Sequence, residues 1–270
     1  MTKIHQLASY LQELAPLQLA EDWDNVGLLI GEANGPVQRV MTCLTLTAES
    51  VAEAVDENAN VVVTHHPLPF RPLKRITGET PEGRMLLQLI GAGIAVYSAH
   101  TAFDSATGGI NQQLADALNL QNVRPLVSTD TSLPEPCEPQ QPSGTGRLGE
   151  CAAGSSIGTL IEQTKSFLKI SNLQWVGKSK QPISRVAIAC GSAGELLESA
   201  HQQGADLFFT GEVRFHTALQ AEALGISLIL CGHYASERFA QQWLASIIAK
   251  QFPSLKVWAS SRERDPIHWA

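Results

Sequence analysis

The sequence predicts an α/β protein made of two similar α/β lobes related by pseudo-two-fold symmetry. Two observations predict this fold class. Residues 40–64 in the first half of the chain are repeated, without a gap, as residues 186–210 in the second half. The similarity continues downstream, where "GIAVYSAHTAFD" (93–104) matches "GISLILCGHYASE" (225–237) with one inserted residue. The two halves of the chain therefore share one supersecondary plan.

Each copy of the repeat has the pattern of a β-α-β unit. An apolar strand is followed by a turn of small residues, an amphipathic helix and a second apolar strand that ends in threonine. Within one sheet, such a unit implies parallel strands joined by a right-handed crossover. The pattern matters more than the identical pairs, which are Val40/Val186, Glu49/Glu195, Ala54/Ala200, Ala59/Ala205 and Thr64/Thr210.

The composition between the two copies predicts the domain boundaries. Residues 1–126 form the first lobe, which begins with a helix over about 4–14 because its apolar residues recur at helical spacing. Residues 127–146 are rich in Pro, Ser, Thr and Gly and lack apolar periodicity, which is typical of a linker. Residues 147–270 form the second lobe.

The composition of the whole chain excludes several classes of protein. The chain has 270 residues, of which 44% are hydrophobic and 17% are charged, as in ordinary soluble globular proteins. A net charge of −7 argues against nucleic acid as the main partner, and we interpret the local basic run "RPLKR" (71–75) as a solvated loop. No apolar stretch is long enough to span a membrane. Five cysteines without a C-x-x-C pair favour a reduced, cytoplasmic compartment.

Histidines and carboxylates cluster where the predicted strands end. His65 and His66 directly follow the second strand of the first lobe, and His100 and Asp104 follow its third strand. Sites in parallel α/β sheets form at the carboxyl ends of strands, and two lobes facing each other would bring such ends together. The second lobe has groups in matching places, namely Glu212 and His216, then His233 and Glu237.

This set of residues favours divalent metal ions. Imidazoles and carboxylates suit zinc, iron or manganese, and two ions about 3.5–4 Å apart need separate ligands and a bridge. Adjacent histidines could serve one ion each, because Pro67 prevents ordinary continuation of the strand. Taken singly, each pair has a commonplace interpretation. His100 is explained equally well as a metal ligand or as a residue that hydrogen-bonds to a ligand, and Glu212 as a polar residue on the surface of a helix. Together they predict a metal site between the lobes, with the ligands His65, His66, Asp104, His233 and Glu237.

Two glycine motifs carry weaker signals. "CGSAGE" (190–195) could hold phosphate on backbone N–H groups, but it lacks a P-loop lysine, and a tight turn is the simpler interpretation. "GTGRLGE" (144–150) surrounds Arg147 with glycines, as an anion contact or, more simply, as a turn. No nucleophile elbow of the G-x-S-x-G type is present in the sequence.

Six motifs are spread in order over nearly the whole chain. They are "AEDWDNVGLLIG" (20–31), "VVVTHHPLPF" (61–70), "HTAFD" (100–104), "GTGRLGE" (144–150), "TGEVRFH" (210–216) and "GHYASE" (232–237). Through these motifs the chain resembles the Nif-three-like dinuclear metal-centre family, whose members are often labelled as homologues of GTP cyclohydrolase I, type two. The length resembles that of the compact members without the large inserted domain.

The resemblance implies a two-lobed α/β protein that binds two divalent cations per chain and assembles as a toroidal homohexamer. Carried over position by position, it implies the same five metal ligands, with Glu237 as the bridge between the ions. One position departs from the family pattern, because Thr45 in "CLTLT" stands where an aspartate is usual. An acidic group near the site is therefore expected to be missing.

Two functions follow as hypotheses. The first is a metal-dependent hydrolase that acts on a small-molecule substrate, a nucleotide such as GTP, with His100 or Glu212 as candidate proton carriers. The alternative is a non-catalytic metal-binding protein, either a toroidal assembly or an adaptor. A coordination sphere closed by protein ligands would favour the alternative. Five ligands are too few to saturate two ions, which favours the hydrolase.

Overall fold

The computed structural model describes residues 1–128 and 143–268. It has the mixed α/β architecture that the sequence predicts. In chain order, the strands are β1 (Gly27–Ile30), β2 (Arg39–Cys43), β3 (Val61–Thr64), β4 (Ala95–Ser98), β5 (Gln121–Arg124), β6 (Val127–Ser128), β7 (Gly144–Thr145), β8 (Arg147–Glu150), β9 (Gln174–Val176), β10 (Arg185–Ala189), β11 (Leu207–Thr210), β12 (Ser227–Leu230) and β13 (Lys256–Ala259).

The helices connect these strands, and the first of them has the bounds expected from its apolar spacing. In the part of the chain that the structure describes, no helix is long and apolar enough to cross a membrane. In chain order, the α-helices are α1 (Ile4–Leu14), α2 (Ala48–Asp56), α3 (Pro81–Gly91), α4 (His100–Ser105), α5 (Ile110–Ala117), α6 (Ile157–Leu168), α7 (Leu197–Gln202), α8 (Phe215–Leu224) and α9 (His233–Gln251), with short 3-10 helices at Leu17–Leu19 and Gly194–Leu196.

The chain divides into two compact units at different places from the predicted lobe boundaries. The first unit is Met1–Phe103 with Arg238–Pro266, and the second is Asp104–Glu237 with Ile267 and His268. β13 pairs with β2, so the end of the chain returns to the first sheet. β5 pairs with β8, so the residues just before the predicted linker belong to the second unit. Of that linker, residues 129–142 lie outside the described residues, and its ends pair as β6 and β7.

The sheet of the first unit has the order β1-β4-β3-β2-β13. β4, β3, β2 and β13 are parallel to one another, and β1 is antiparallel to β4. Val61 and Val63 of β3 pack in one core cluster with α1 and the later part of α9, whereas Val62 packs with α2 and α3. Helices thus cover both faces, which explains why β3 is a continuous apolar run rather than an alternating one.

The sheet of the second unit has the order β5-β8-β10-β11-β12-β9. β10, β11 and β12 are parallel, and the strands beside them, β8 and β9, are antiparallel. Both copies of the sequence repeat therefore form the predicted β-α-β unit. The order β9-β12-β11-β10 matches β1-β4-β3-β2, so the likeness also extends to the strand that precedes each repeat.

The described cysteines Cys43, Cys151, Cys190 and Cys231 are free thiols. The fifth cysteine, Cys137, lies outside the described residues. Burial raises the pKa of the Cys43 and Cys231 thiols, the latter to about 12. These two thiols are therefore protonated and act as small apolar groups.

One buried carboxylate holds the segment that follows β13. Glu53 on α2 accepts hydrogen bonds from Ser260 Oγ (2.6 Å), from the backbone N of Ser261 and Arg262 (3.0 Å each) and from Trp258 Nε1 (3.2 Å). Burial by itself would raise the pKa of Glu53, but these hydrogen bonds outweigh it, so the pKa is lowered. The end of the first unit is thus tied to α2 by an ionised group.

We expect Glu53→Gln to lower the free energy of unfolding by about 2 kcal/mol, because hydrogen bonds to a charged acceptor are lost and an amide NH2 cannot accept. Since the folded pKa is lowered, the contribution of Glu53 is present above its unfolded pKa of about 4.3 and is lost as pH falls through the folded value. Urea denaturation from neutral pH into the acid range measures both effects. Glu49→Gln, at an exposed position on the same helix, is the control, and an equal loss in the two variants would contradict the assignment.

Candidate metal centre

In the first unit, the histidines are placed by the register of three parallel strands. Cys43, Thr64 and Ser98 are neighbours in β2, β3 and β4, and each is the last residue of its strand. The ladder continues beyond β3, because His65 N donates to Cys43 O at 3.0 Å. Ser98 Oγ also donates to His65 O at 2.6 Å. His65 and His66 are therefore held at the carboxyl edge of the sheet by backbone hydrogen bonds.

His65, His66 and His100 form a cluster in which one ligand atom from each lies within 4.8 Å of the others. The ring centroids are 5.1 Å apart for His65 and His66, 5.1 Å for His65 and His100, and 5.4 Å for His66 and His100. His65 is 3% and His100 is 9% exposed. Three converging imidazoles form a typical set of zinc or iron ligands. The structure thus places His100 with the two predicted ligands of this unit.

Asp24 fixes the ring of His100. His100 Nδ1 lies 2.8 Å from Asp24 Oδ1, while Asp24 Oδ2 accepts from Thr101 Oγ1 (2.5 Å) and Thr101 N (3.1 Å). Burial alone would raise the pKa of Asp24, but the hydrogen bonds from His100 and Thr101 outweigh it and lower the pKa. An ionised Asp24 needs the proton on Nδ1, so Nε2 is the ring atom available to a metal. His100 itself has a φ of +25°, a strained value that these contacts hold in place.

Thr45 and Glu263 form the surroundings of His66. Thr45 Oγ1 lies 2.7 Å from His66 Nδ1. The Glu263 carboxylate accepts from the backbone N of Leu44 (2.9 Å) and Thr45 (2.5 Å) and pairs with Arg238 Nε at 2.8 Å. Burial raises the pKa of Glu263 despite these donors. The sequence predicted a missing acidic group at Thr45, and the structure places the carboxyl group of Glu263 against the same piece of backbone.

In the second unit, His233 lies between two carboxylates. Its Nε2 is 3.2 Å from Glu237 Oε2, one turn along α9, and its Nδ1 is 3.1 Å from Glu212 Oε1. The hydrogen bond that the His233 imidazolium donates to Glu237, together with the charge of Glu237 and the contact with Glu212, raises the pKa of His233 to about 9, although burial opposes this. Glu212 therefore orients the ring of a predicted ligand, and Glu237 lies on the side where a metal could bind.

Gly191 lets the buried side chain of Glu237 approach the sheet. A Cβ at this position would overlap Glu237 Oε1 and lie 3.4 Å from His233 Nε2, and the φ of +66° also favours glycine. Gly191 N donates to Ser236 Oγ at 2.9 Å. The "CGSAGE" motif is thus a tight turn that accommodates the first turn of α9. Since the amide of Gly191 is already bonded, the phosphate interpretation finds no support at this residue.

Asp104 lies beside Cys190 in the same unit. Cys190 Sγ donates to Asp104 Oδ1 at 3.2 Å, and Asn111 joins the two backbones by accepting from Cys190 N (2.8 Å) and donating to Asp104 O (3.1 Å). Burial, followed by the charges of Asp104 and Glu237, raises the pKa of Cys190 well above its usual value. Asp104 and Glu237, both predicted ligands, therefore act on the same buried thiol.

Arg147 is a structural residue rather than an anion contact. Its side chain is buried and donates to the carbonyl oxygens of Gly144, Gly146, Ser105 and Ala106 and to Gln112 Oε1, at 2.6–3.2 Å. Burial lowers its pKa to about 10, so it remains charged at neutral pH. By binding the two residues that follow Asp104, Arg147 holds the segment that carries this predicted ligand.

Within each unit, the structure groups the predicted site residues. His65 and His66 lie together in the first unit with His100, and Asp104, His233 and Glu237 surround the Cys190–Gly191 turn of the second, with Glu212 behind His233. The nitrogen and oxygen donors of both groups fit a divalent metal. Sequence reasoning placed Thr45 near the site only as a position without an acidic group, and it missed three other groups around the predicted site residues: Asp24, Cys190 and Glu263.

For some of these missed groups a sequence signal existed. Asp24 lies in the "WDN" motif, and Cys190 aligns with Leu44 in the repeat, which marks the end of a strand. Glu263 had no such signal, because its partner Thr45 is 218 residues away in the chain.

We expect Asp24→Asn to leave metal affinity unchanged, because Asp24 contacts His100, a candidate proton carrier outside the predicted ligand set. Metal affinity is measured by competition with a chromophoric chelator. Asp22→Asn, two residues away and exposed, is the matched control. Loss of a carboxylate behind a histidine ligand weakens metal binding by about 10- to 100-fold, so a loss of this size in Asp24→Asn alone would make His100 a metal ligand.

For the metal-free protein, we expect His233 to make stability depend on pH in the alkaline range. Because its folded pKa of about 9 exceeds the unfolded value of about 6.5, the stabilisation is complete below pH 6.5 and is lost as pH rises through 9. Thermal unfolding of EDTA-treated protein between pH 6 and 10 measures this. In Glu237→Gln the loss of stability should begin at lower pH, because the pKa of His233 is no longer raised by this carboxylate. The same pH dependence in the variant and the parent would show that Glu237 is not the cause of the raised pKa.

Comparison with known proteins identifies the family to which this chain belongs. The profile of the family described as Duf34/NIF3 (NGG1p interacting factor 3) matches residues 2–266. A Schizosaccharomyces pombe protein named Protein NIF3 homolog is 34% identical over 275 residues, which cover 97% of this chain and 96% of the relative. A Clostridium acetobutylicum protein named GTP cyclohydrolase 1 type 2 homolog is 31% identical over 235 residues, which cover 87% of this chain and 85% of the relative.

A solved structure shows the same fold over the full length. The crystal structure of a Staphylococcus aureus hypothetical protein is 30% identical and superposes with a TM-score of 0.87, covering 99% of each chain. The family profile takes in both units, from the first helix to the segment after β13. The chain therefore belongs to the Duf34/NIF3 family, as its motifs predicted.

Proposed function

We propose that this protein holds two divalent cations and hydrolyses a nucleotide, with GTP as the first candidate. The observation that carries the proposal is the cluster of His65, His66 and His100. Two of its rings are already oriented, since Thr45 and Asp24 engage the Nδ1 atoms of His66 and His100. Rings held in this way present Nε2 without further ordering, as is required of a metal ligand such as His66 and of a proton carrier such as His100.

In this proposal the residues that would hold the ions are the predicted ligands His65, His66, Asp104, His233 and Glu237. Supporting this role, Glu237 is 3% exposed and lies against His233, so its charge is already held at the site. Five ligands leave coordination positions open on two ions, which favours catalysis over a closed, structural site.

When bound, two divalent cations would supply a water nucleophile at neutral pH and stabilise negative charge that develops on the substrate. Residues of the chain would carry out the proton transfers. Asp24 keeps the proton of His100 on Nδ1, so Nε2 can accept a proton from an attacking water or return one to the leaving group. Glu212, whose side chain is 49% exposed, can exchange protons between His233 and solvent.

The choice of GTP is supported by the names of relatives. The Clostridium acetobutylicum protein, 31% identical, and a Streptomyces coelicolor protein, 32% identical, are each named GTP cyclohydrolase 1 type 2 homolog. Hydrolysis at the purine ring and hydrolysis of a phosphoester would both use a water nucleophile beside a stabilising cation. A panel of nucleotides therefore has to be assayed for both products.

We expect the protein, loaded anaerobically with zinc, iron or manganese, to hold about two ions per chain and to turn over GTP. His100→Asn should lower the rate by about 10²- to 10⁴-fold while metal content is kept, because it removes a proton carrier. Elemental analysis and chromatography of the products measure the two quantities. His5→Asn, at an exposed histidine, is the control and should behave like the parent.

The outcomes separate the hypotheses. Loss of metal in His100→Asn would make His100 a ligand rather than a proton carrier. No bound metal in the loaded parent would exclude the site altogether. Two bound ions without turnover of any nucleotide would exclude the hydrolase and leave the metal-binding assembly or adaptor protein. The homohexamer implied by the family resemblance stays a prediction, which native mass spectrometry tests.

A further inference from the structure

Two exposed aromatic side chains lie against the histidine cluster of the first unit. Trp23 is 61% and Phe70 is 45% exposed. Their ring centroids are 5.9 Å apart, and those of Trp23 and Phe70 lie 5.9 Å and 6.0 Å from the ring of His100. The exposed rings therefore lie beside His100, whose imidazole in turn contacts the rings of His65 and His66. Large exposed aromatic groups grouped in this way mark a binding surface.

Hydrogen bonds hold the residues on either side of Trp23 and the residue before Phe70. Asn25 Nδ2 donates to Pro69 O at 2.8 Å, which joins the turn of Trp23 to the loop of Phe70. Asn25 N donates to Asp24 Oδ1 at 2.8 Å, and Asp24 is bound to His100. On the other side of Trp23, Glu21 N donates to Thr101 Oγ1 at 3.0 Å. Backbone that is already ordered loses little conformational entropy on binding, so the two segments that carry the rings are organised before a ligand arrives.

The rings suit a planar ligand. The planes of Trp23 and Phe70 are inclined at 49°, and those of Trp23 and His100 at 78°, so the rings form a corner rather than a flat stack. A planar heteroaromatic ring can stack on one face of the corner and meet the edge of another ring. An aliphatic ligand would gain only the burial of area, without this geometry.

The positively charged residues of the same loop indicate which chemical group of the ligand accompanies its planar ring. Arg71, Lys74 and Arg75 follow Phe70 within five residues, and all three are exposed. Lysine and arginine beside aromatic rings are the usual elements that bind phosphates and bases together. The basic run "RPLKR" of the sequence thus directly follows Phe70 in the chain.

We propose that Trp23 and Phe70 bind the base of a nucleotide by stacking and place it beside the histidine cluster, with the basic residues of the loop facing its phosphates. This inference rests on the proposed function and specifies it, since it assigns the recognition of the substrate to residues outside the ligand set. It requires that the base, rather than the phosphates alone, contributes to affinity.

The test compares GTP with inorganic tripolyphosphate, which has no ring, by equilibrium dialysis against the metal-loaded full chain. Trp23→Ala should weaken GTP binding by about five- to 150-fold, the range for loss of one stacked base, and should leave tripolyphosphate binding and metal content unchanged. Trp23→Phe keeps a ring and should retain most of the affinity. The control is Trp175→Ala, because Trp175 is a similarly exposed tryptophan, 44%, on β9 of the second unit.

Several results would overturn the inference. They are equal GTP affinity in Trp23→Ala and the parent, no GTP binding by the parent, and loss of metal from Trp23→Ala. A change of native mass in Trp23→Ala with unchanged GTP affinity would assign the rings to contacts between copies of the chain. Failure of the proposed hydrolase activity is distinguishable from these results. GTP binding that depends on Trp23, without turnover of GTP, supports the inference although the hydrolase is excluded. Turnover of GTP with an unchanged KM in Trp23→Ala contradicts the inference although the hydrolase is supported.

Discussion

The candidate site of the first unit depends on the register of three parallel strands. Because β2, β3 and β4 end side by side at Cys43, Thr64 and Ser98, the next residues of each strand meet at one edge of the sheet. A slip of one residue would turn the side chains of a strand to its opposite face. The buried valines of β3, which pack against helices on both faces, determine that register. The apolar core thus places the polar site.

Around that edge, hydrogen bonds from distant parts of the chain orient the imidazoles. Asp24 precedes β1, Thr45 follows β2, and Glu263 follows β13, yet all act on the same cluster. The strained φ of His100 is maintained because Asp24 binds both its ring and the adjacent Thr101. A strained backbone conformation, which lowers stability, is therefore kept at this edge while the ring is oriented, as is common at functional sites.

The second unit gathers negative charge in a small volume. Burial, followed by the charges of Asp104 and Glu237, raises the pKa of the Cys190 thiol, and Glu237 with Glu212 favours a proton on His233. A proton on His233 offsets part of this charge when no cation is bound. A divalent cation would offset more of it and would release that proton, because a metal ligand must be neutral imidazole. The arrangement is thus suited to a cation in both charge and ligand type.

The sequence by itself determined the α/β class, the two β-α-β repeats and the strand ends that carry His65, His66, His233 and Glu237. These features are local, since apolar periodicity and the residues directly after a strand are read from neighbouring positions. Only the tertiary structure decided that β13 joins the first sheet, that His100 lies with His65 and His66, and that Glu263 lies behind Thr45. The physical reason is that these contacts join residues far apart in the chain, and neither spacing nor composition records which distant backbone groups a buried carboxylate will meet.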